Sequence, residues 1–175
     1  MARTAVRNRV AARAVHRRAA GILQVLKEEH DRVRKLLGKA LSHPETSEEA
    51  FASIYSDLEA HMRGEEQFFY PELEPSEDVR ELVLEAYEEH NITKILLNEL
   101  ESMSSGDERW MAKIKVLDEI VAHHIQEEEG RIFPKARKII GKEREAQIAQ
   151  QYLDEKPELG EEPQAGAGEE ELEEF

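Results

Sequence analysis

Six residues of this chain have side chains and spacing suited to holding metal. "AHMRGEEQFFYP" occupies residues 60–71 and "HHIQEEEGRIFP" residues 123–134. With Pro71 laid on Pro134, His61 falls on His124, Glu65 on Glu128 and Tyr70 on Phe133. Both copies spell His-x-x-x-Glu. Residues four apart in a helix differ by about 40° in direction and about 6 Å in height, so each pair can grip one centre. A second repeat places a lone histidine upstream of each copy: "EEH" occurs at 28–30 and again at 88–90, adding His30 and His90. The chain reads as two copies of one two-helix unit, a single histidine followed by His-x-x-x-Glu.

The chain has no cysteine, which excludes disulfides, zinc ribbons, thiolate nucleophiles and cysteine-held iron–sulfur clusters. Metal chemistry must use nitrogen and oxygen donors. Four imidazoles and two carboxylates form a ligand set for iron, manganese or a related divalent ion. Carboxylates from different helices can each bridge two ions. The spacing therefore predicts a metal pair sharing Glu65 and Glu128, with two histidines on each ion. A bundle held by buried ion pairs without metal is the competing reading of the same six residues.

Helices must position them. Apolar residues at three- and four-residue steps predict four amphipathic helices, over about 21–41, 47–69, 77–103 and from Trp110 to near Pro134. His30, His61, Glu65, His90, His124 and Glu128 all fall on the apolar stripes. Thr46 or Ser47, Ser76 with Asp78, and Asp107 are the expected helix starts. Pro71 and Pro134 are expected to close their helices, because the residue before proline is pushed out of the helical region. A further helical piece, "KEREAQIAQQYLDEK", is expected against the bundle end. The expected architecture is all-α: an up-down-up-down antiparallel four-helix bundle with an extra C-terminal helix and charged terminal extensions. Its divisions are a basic N-terminal extension (1–20), the bundle (21–140), the C-terminal helix (141–156) and an acidic tail (157–175) with too little apolar content to fold alone.

The formal charge is −15. Six arginines (Arg3, Arg7, Arg9, Arg13, Arg17 and Arg18) precede the first acid, and ten acids lie in 154–175. An acidic body argues against nucleic acid as a partner, since phosphate contacts need a basic face. The acidic tail offers a surface for a protein partner. Without a long apolar run or a secretory-type start, the expected location is the cytoplasm, away from membrane.

His30, "HMRGEEQFFYP", "EEHN" and "HIQEEEGRIFP" together resemble the hemerythrin-like, or His-His-Glu cation-binding, family over roughly residues 21–137. The resemblance implies a non-haem di-iron centre in a four-helix bundle, oxo- or hydroxo-bridged, to which O2 or a related small molecule binds. Iron is favoured on that ground, with manganese or zinc left open by the residues themselves. By position, His30, His61, His90 and His124 would be terminal ligands, with Glu65 and Glu128 bridging. Two departures bear on function. Oxygen carriers of the family have a histidine where this chain has Lys94, and their last carboxylate is an aspartate five residues after its histidine, where this chain has Glu129. The repeat favours Glu128, four residues on. With a ligand missing, the expected chemistry is reaction with O2, hydrogen peroxide or nitric oxide (catalase-like or oxidase-like) rather than reversible O2 carriage. The alternative is an oxygen- or iron-sensing or iron-handling module without turnover. A ferritin-related site is disfavoured, since it wants Glu-x-x-His pairs and four carboxylates. Lys94 can reach an open coordination position or lie at the surface. His123 is a candidate to replace the missing histidine, but about 100° round the helix from His124 it is rather expected to flank the site. Tyr55 and Tyr87 flank the stripes; His16 and His43 have no assigned role.

Overall fold

The computed structural model describes residues 21–159, every element of which is helical. Helix α1 spans Ile22–Ser42. A 3₁₀ turn at Pro44–Thr46 leads into α2, which runs as Ser47–Gly64, passes through a π-helical turn at Glu65–Phe69 and ends as Tyr70–Leu73. Helix α3 spans Glu77–Glu101. Helix α4 repeats the pattern of α2, with Trp110–Glu127, a π turn at Glu128–Ile132 and then Phe133–Ile139. Helix α5 covers Lys142–Leu159. The first four pack in a ring, α1 on α2, α2 on α3, α3 on α4 and α4 on α1, and α5 lies across α1 and α2. This is the expected antiparallel four-helix bundle with a further C-terminal helix. The N-terminal extension and the greater part of the acidic tail lie outside the described residues.

The prolines do not end their helices, contrary to the sequence expectation. Tyr70 N–H donates to Glu65 O and Phe133 N–H to Glu128 O, five residues back instead of four. Proline lacks an N–H and its ring collides with the carbonyl four residues back in a regular helix. A π turn shifts the bonding register by one residue just ahead of each proline, and the helix runs on. Single π turns recur at functional sites, and here both begin on a glutamate of the repeated motif.

The expected cap positions are partly right. Ser76 is the N-cap of α3, though its side chain makes no capping bond. Ser47 lies inside α2, buried, donating to Pro44 O and accepting from Trp110 Nε1. Asp107 accepts from the Arg109 backbone N–H, one turn ahead of α4.

Two apolar clusters fill the bundle. One gathers Phe51, Ile54, Leu97 and Trp110 at the end where the α3–α4 connection lies; the other gathers Phe69, Tyr70, Phe133 and the α5 residues Ile148 and Tyr152. The six polar residues of the repeat sit between them. At about 25 cal/mol per Å² of buried apolar surface, these clusters supply the free energy that tolerates a polar layer in the middle.

Candidate metal centre

The fold brings all six candidate ligands together, and every one is buried. His30 Nε2 lies 3.2 Å from His61 Nε2, and His90 Nε2 lies 3.2 Å from His124 Nε2. The carboxylates lie between these pairs. Glu65 Oε2 is 3.3 Å from His61 Nε2 and 3.4 Å from His90 Nε2. Glu128 Oε2 is 3.2 Å from His30 Nε2 and 3.8 Å from His124 Nε2. Each glutamate thus touches one imidazole of each pair. Two donor groups result: His30, His61, Glu65 and Glu128, and Glu65, His90 and His124, with donor atoms in each within 4.8 Å of one another.

A divalent metal pair fits this donor set. All four Nε2 atoms point inward at two carboxylates, and Glu65 Oε1 is buried without a hydrogen-bond partner. A buried polar atom left unpaired costs about 1–3 kcal/mol, and a bound cation would remove that cost. Oxygen and nitrogen donors without sulfur suit iron or manganese.

The outward faces of the imidazoles were not anticipated from sequence. Each Nδ1 meets a glutamate on a neighbouring helix: His61 meets Glu29 at 3.1 Å, His90 meets Glu66 at 2.9 Å, His124 meets Glu89 at 2.8 Å and His30 meets Glu129 at 3.1 Å. The order is cyclic. α1 hands a carboxylate to the histidine of α2, α2 to that of α3, α3 to that of α4, and α4 back to that of α1. A carboxylate on Nδ1 keeps the proton there, which leaves the Nε2 lone pair facing inward for a metal. The signal was present in the doubled acids beside each candidate ligand, Glu28-Glu29, Glu65-Glu66, Glu88-Glu89 and Glu128-Glu129. Four such pairs look unremarkable in a chain with 39 acidic residues.

Glu129 is thereby placed behind His30, while Glu128 lies among the central donors. Lys94 neither reaches the centre nor lies idle: its Nζ donates to both oxygens of Glu66, at 2.8 and 2.9 Å. His123 flanks the site as expected, its side chain 61% exposed and its Nε2 3.4 Å from Glu89. Tyr55 bonds Asn98 away from the centre. Tyr87 donates to Glu74 and packs edge-on against Tyr70.

Two tyrosines that the sequence reading left without a role make close contacts. Tyr70, fully buried, donates to Glu128 Oε1 at 3.0 Å and lies 3.4 Å from His90 Nε2. Its repeat partner Phe133 has no hydroxyl and stacks on the His30 ring instead. Tyr152 of α5 donates to Glu29 Oε2 at 2.5 Å, and Lys156 Nζ donates to the same oxygen at 2.6 Å. The Tyr152 ring lies over Gly64, where a Cβ would meet Tyr152 Cε2 at 2.3 Å. Glycine is required at that crossing.

Electrostatics separate the two central carboxylates. Burial, then the charge of Glu128, raises the Glu65 carboxyl well above its ordinary range. Burial acts on Glu128 in the same direction, but the neighbouring imidazoles, His30 at 3.2 Å foremost, outweigh it and hold Glu128 low. Burial lowers His61 to about 4, against the pull of Glu29. It lowers His90 too, against Glu66. Burial and the two central carboxylates raise Tyr70, so it remains a proton donor.

On the side away from the tyrosines, a pocket reaches the four imidazoles between Val33, Leu58, Met62, Val121 and Ile125. Its free volume, about 10 Å³, is room for about one water-sized molecule. Among the described residues no helix is long and apolar enough to cross a membrane.

The profile of the Hemerythrin HHE cation binding domain matches residues 21–136 and ends before α5. A DNA nickase of Nostoc sp. (strain PCC 7120 / SAG 25.82 / UTEX 2576) is 28% identical over 136 residues, 75% of this chain and 38% of that protein. The chain therefore spans well under half the length of that curated relative. The crystal structure of a Hemerythrin HHE cation binding domain-containing protein from Mycobacterium kansasii matches with a TM-score of 0.70 at 20% identity, over 81% of this chain and 88% of that one. At that identity the likeness is one of fold.

Proposed function

We infer the function from the family to which this chain belongs, the hemerythrin HHE cation-binding family, and from the residues it brings to its centre. The chain is a non-haem di-iron protein that binds and reacts with O2, hydrogen peroxide or nitric oxide. His30, His61, His90 and His124, together with Glu65 and Glu128, would hold the ions. One observation carries this reading: two pairs of inward-facing Nε2 atoms flank two buried carboxylates, each of which touches both pairs.

Iron bound there supplies Lewis acidity and, when ferrous, electrons. The protein supplies the rest. The four backing glutamates fix the imidazole tautomers. Val33, Leu58 and Val121 line a largely apolar pocket at the centre with room for about one water-sized molecule. Tyr70 holds a proton beside Glu128, in hydrogen-bonding reach of the centre. A group poised there can donate to a small bound oxidant or hold a bridging carboxylate in place.

A second reading, sensing without turnover, has its own support: a C-terminal helix bonds directly to a glutamate that backs a candidate ligand. The nickase activity named for the cyanobacterial relative is not carried over, given how little of that protein is matched. The acidic balance of the chain supports leaving nucleic acid out of the proposal.

The test is metal content with the optical spectrum of aerobically purified protein, before and after hydrogen peroxide. Two irons per chain with near-ultraviolet charge-transfer bands are expected. Sustained O2 release favours catalysis, and a single spectral change per site favours sensing. Helical protein that neither carries nor takes up iron would refute the di-iron reading.

A further inference from the structure

We infer that the two metal positions are unequal and that α5 adds to the difference: Tyr152 and Lys156 clamp Glu29 behind His61, and the position at His30 and His61 takes its ion first and more tightly. The inference rests on the metal-centre reading above and concerns the order of filling.

The inner donors already differ. The His30–His61 position gathers four donor atoms, while Glu65, His90 and His124 gather three. Glu128 reaches both pairs but leans towards the first, its Oε2 3.2 Å from His30 Nε2 against 3.8 Å from His124 Nε2.

The groups behind the ligands differ in the same direction. Glu29 is 5% exposed and its Oε2 accepts from Tyr152, Lys156 and the His61 ring. Glu129, behind His30, is held by Lys27 at 2.7 Å and Arg34 at 2.9 Å. At the other position Lys94 holds Glu66, but the group beside Glu89 is an exposed imidazole, His123, at 3.4 Å. A carboxylate held firmly against Nδ1–H fixes the ring and raises the basicity of Nε2, and loss of such a support lowers metal affinity about 10–100-fold.

The clamp is built into the packing. Tyr152 is fully buried, and its ring can approach α2 so closely because residue 64 has no side chain. Arg144, eight residues earlier on α5, pairs with Glu72 at the far end of α2. Tyr152 acts through Glu29 and His61, so it is a positioning residue and touches no reacting atom.

The test titrates metal-free full chain with cobalt(II), followed by visible ligand-field absorption and calorimetry. Two resolved steps are expected. Tyr152→Phe keeps the ring over Gly64 and removes the hydroxyl. It should weaken the first step about ten-fold or more and leave the second within two-fold. Lys156→Met removes the other donor from the partly exposed end and should act in the same direction, which preserves the test if Tyr152→Phe folds poorly. His90→Ala should abolish the second step and spare the first. Two equal steps in the parent protein would overturn the inference, as would unchanged first steps in both variants. So would a Tyr152→Phe that weakens both steps alike, the mark of general loosening. A parent protein that binds no cobalt would overturn the metal-centre reading along with it. A parent that binds two ions indifferently to α5 would leave that reading standing.

Discussion

Substituting Gly64 by alanine should destabilise this protein, although alanine is the better helix former. In a helix interior the exchange is ordinarily favourable by about 0.5–1 kcal/mol. Here an added Cβ would stand 2.8 Å from Tyr152 Cδ2 and 2.3 Å from Cε2, the latter more than an ångström inside ordinary carbon–carbon contact at about 3.5–4.0 Å. The ring cannot easily retreat, because Tyr152 is fully buried and its hydroxyl bonds Glu29. Overpacking of this kind costs about 1–3 kcal/mol, and the severity of the contact places it at the upper end. Less the propensity gain, a net loss of about 2 kcal/mol remains, a fall in Tm of about 4–8 °C for a chain of this length. The assay is thermal unfolding by circular dichroism on metal-loaded protein, for Gly64→Ala, Tyr152→Ala and the double variant. With the ring gone the clash disappears, so Gly64→Ala introduced into Tyr152→Ala should be neutral or mildly stabilising. The sign of the alanine effect thus inverts with the state of residue 152. Gly64→Ala that melts at or above the parent temperature, or that costs the same in both backgrounds, would refute the close approach of α5 to α2.

Other outcomes follow from the site. Tyr70→Phe deprives Glu128 Oε1 of its donor; metal-free protein should lose about 1–3 kcal/mol in denaturant unfolding, and metal-loaded protein less. Lys94→Met frees Glu66 from its cation, so metal affinity at the His90–His124 position should drop several-fold in a cobalt titration while the other position is unchanged. Arg144→Ala removes an exposed ion pair with Glu72; its small effect on Tm should vanish at about 1 M salt, where the screening length is about 3 Å. Supercoiled plasmid incubated with the purified chain and magnesium should stay supercoiled, by agarose gel; appearance of the nicked form would bring nucleic acid back as a partner.

The helices and the meeting of six polar residues were legible because both obey short-range periodicity. His30, Val33 and Leu37 mark one face of α1, and the four-residue step from His61 to Glu65 needs only helix geometry. The prolines misled because the rule against helical proline assumes regular bonding register, and a π turn evades it. Glu29, Glu66, Glu89 and Glu129 were hidden by composition: on a strongly acidic chain a second glutamate beside a candidate ligand looks like a solvated neighbour. Tyr152 was illegible for a different reason. Its contact with Glu29 depends on how α5 slides and rotates against α1 and α2, a tertiary register that the chain's own period does not encode. Gly64 gave half of the clue, a glycine inside a helix with no turn to make.

The cyclic hand-off of carboxylates has a consequence for ancestry. Two of its four links, Glu29 to His61 and Glu89 to His124, stay within one helix pair, while Glu66 to His90 and Glu129 to His30 cross from one pair to the other. The crossing links are equivalent under the internal repeat. A single helix pair that associated with its own copy about a two-fold axis would therefore close the same ring, each copy lending the other its second glutamate. Such a half-length ancestor could have assembled a complete centre as a homodimer before the two halves were joined by the short turn between Leu73 and Glu77. Fusion would then have freed the halves to diverge, with Tyr70 in one where the other has Phe133, and with α5 packed on the first helix pair.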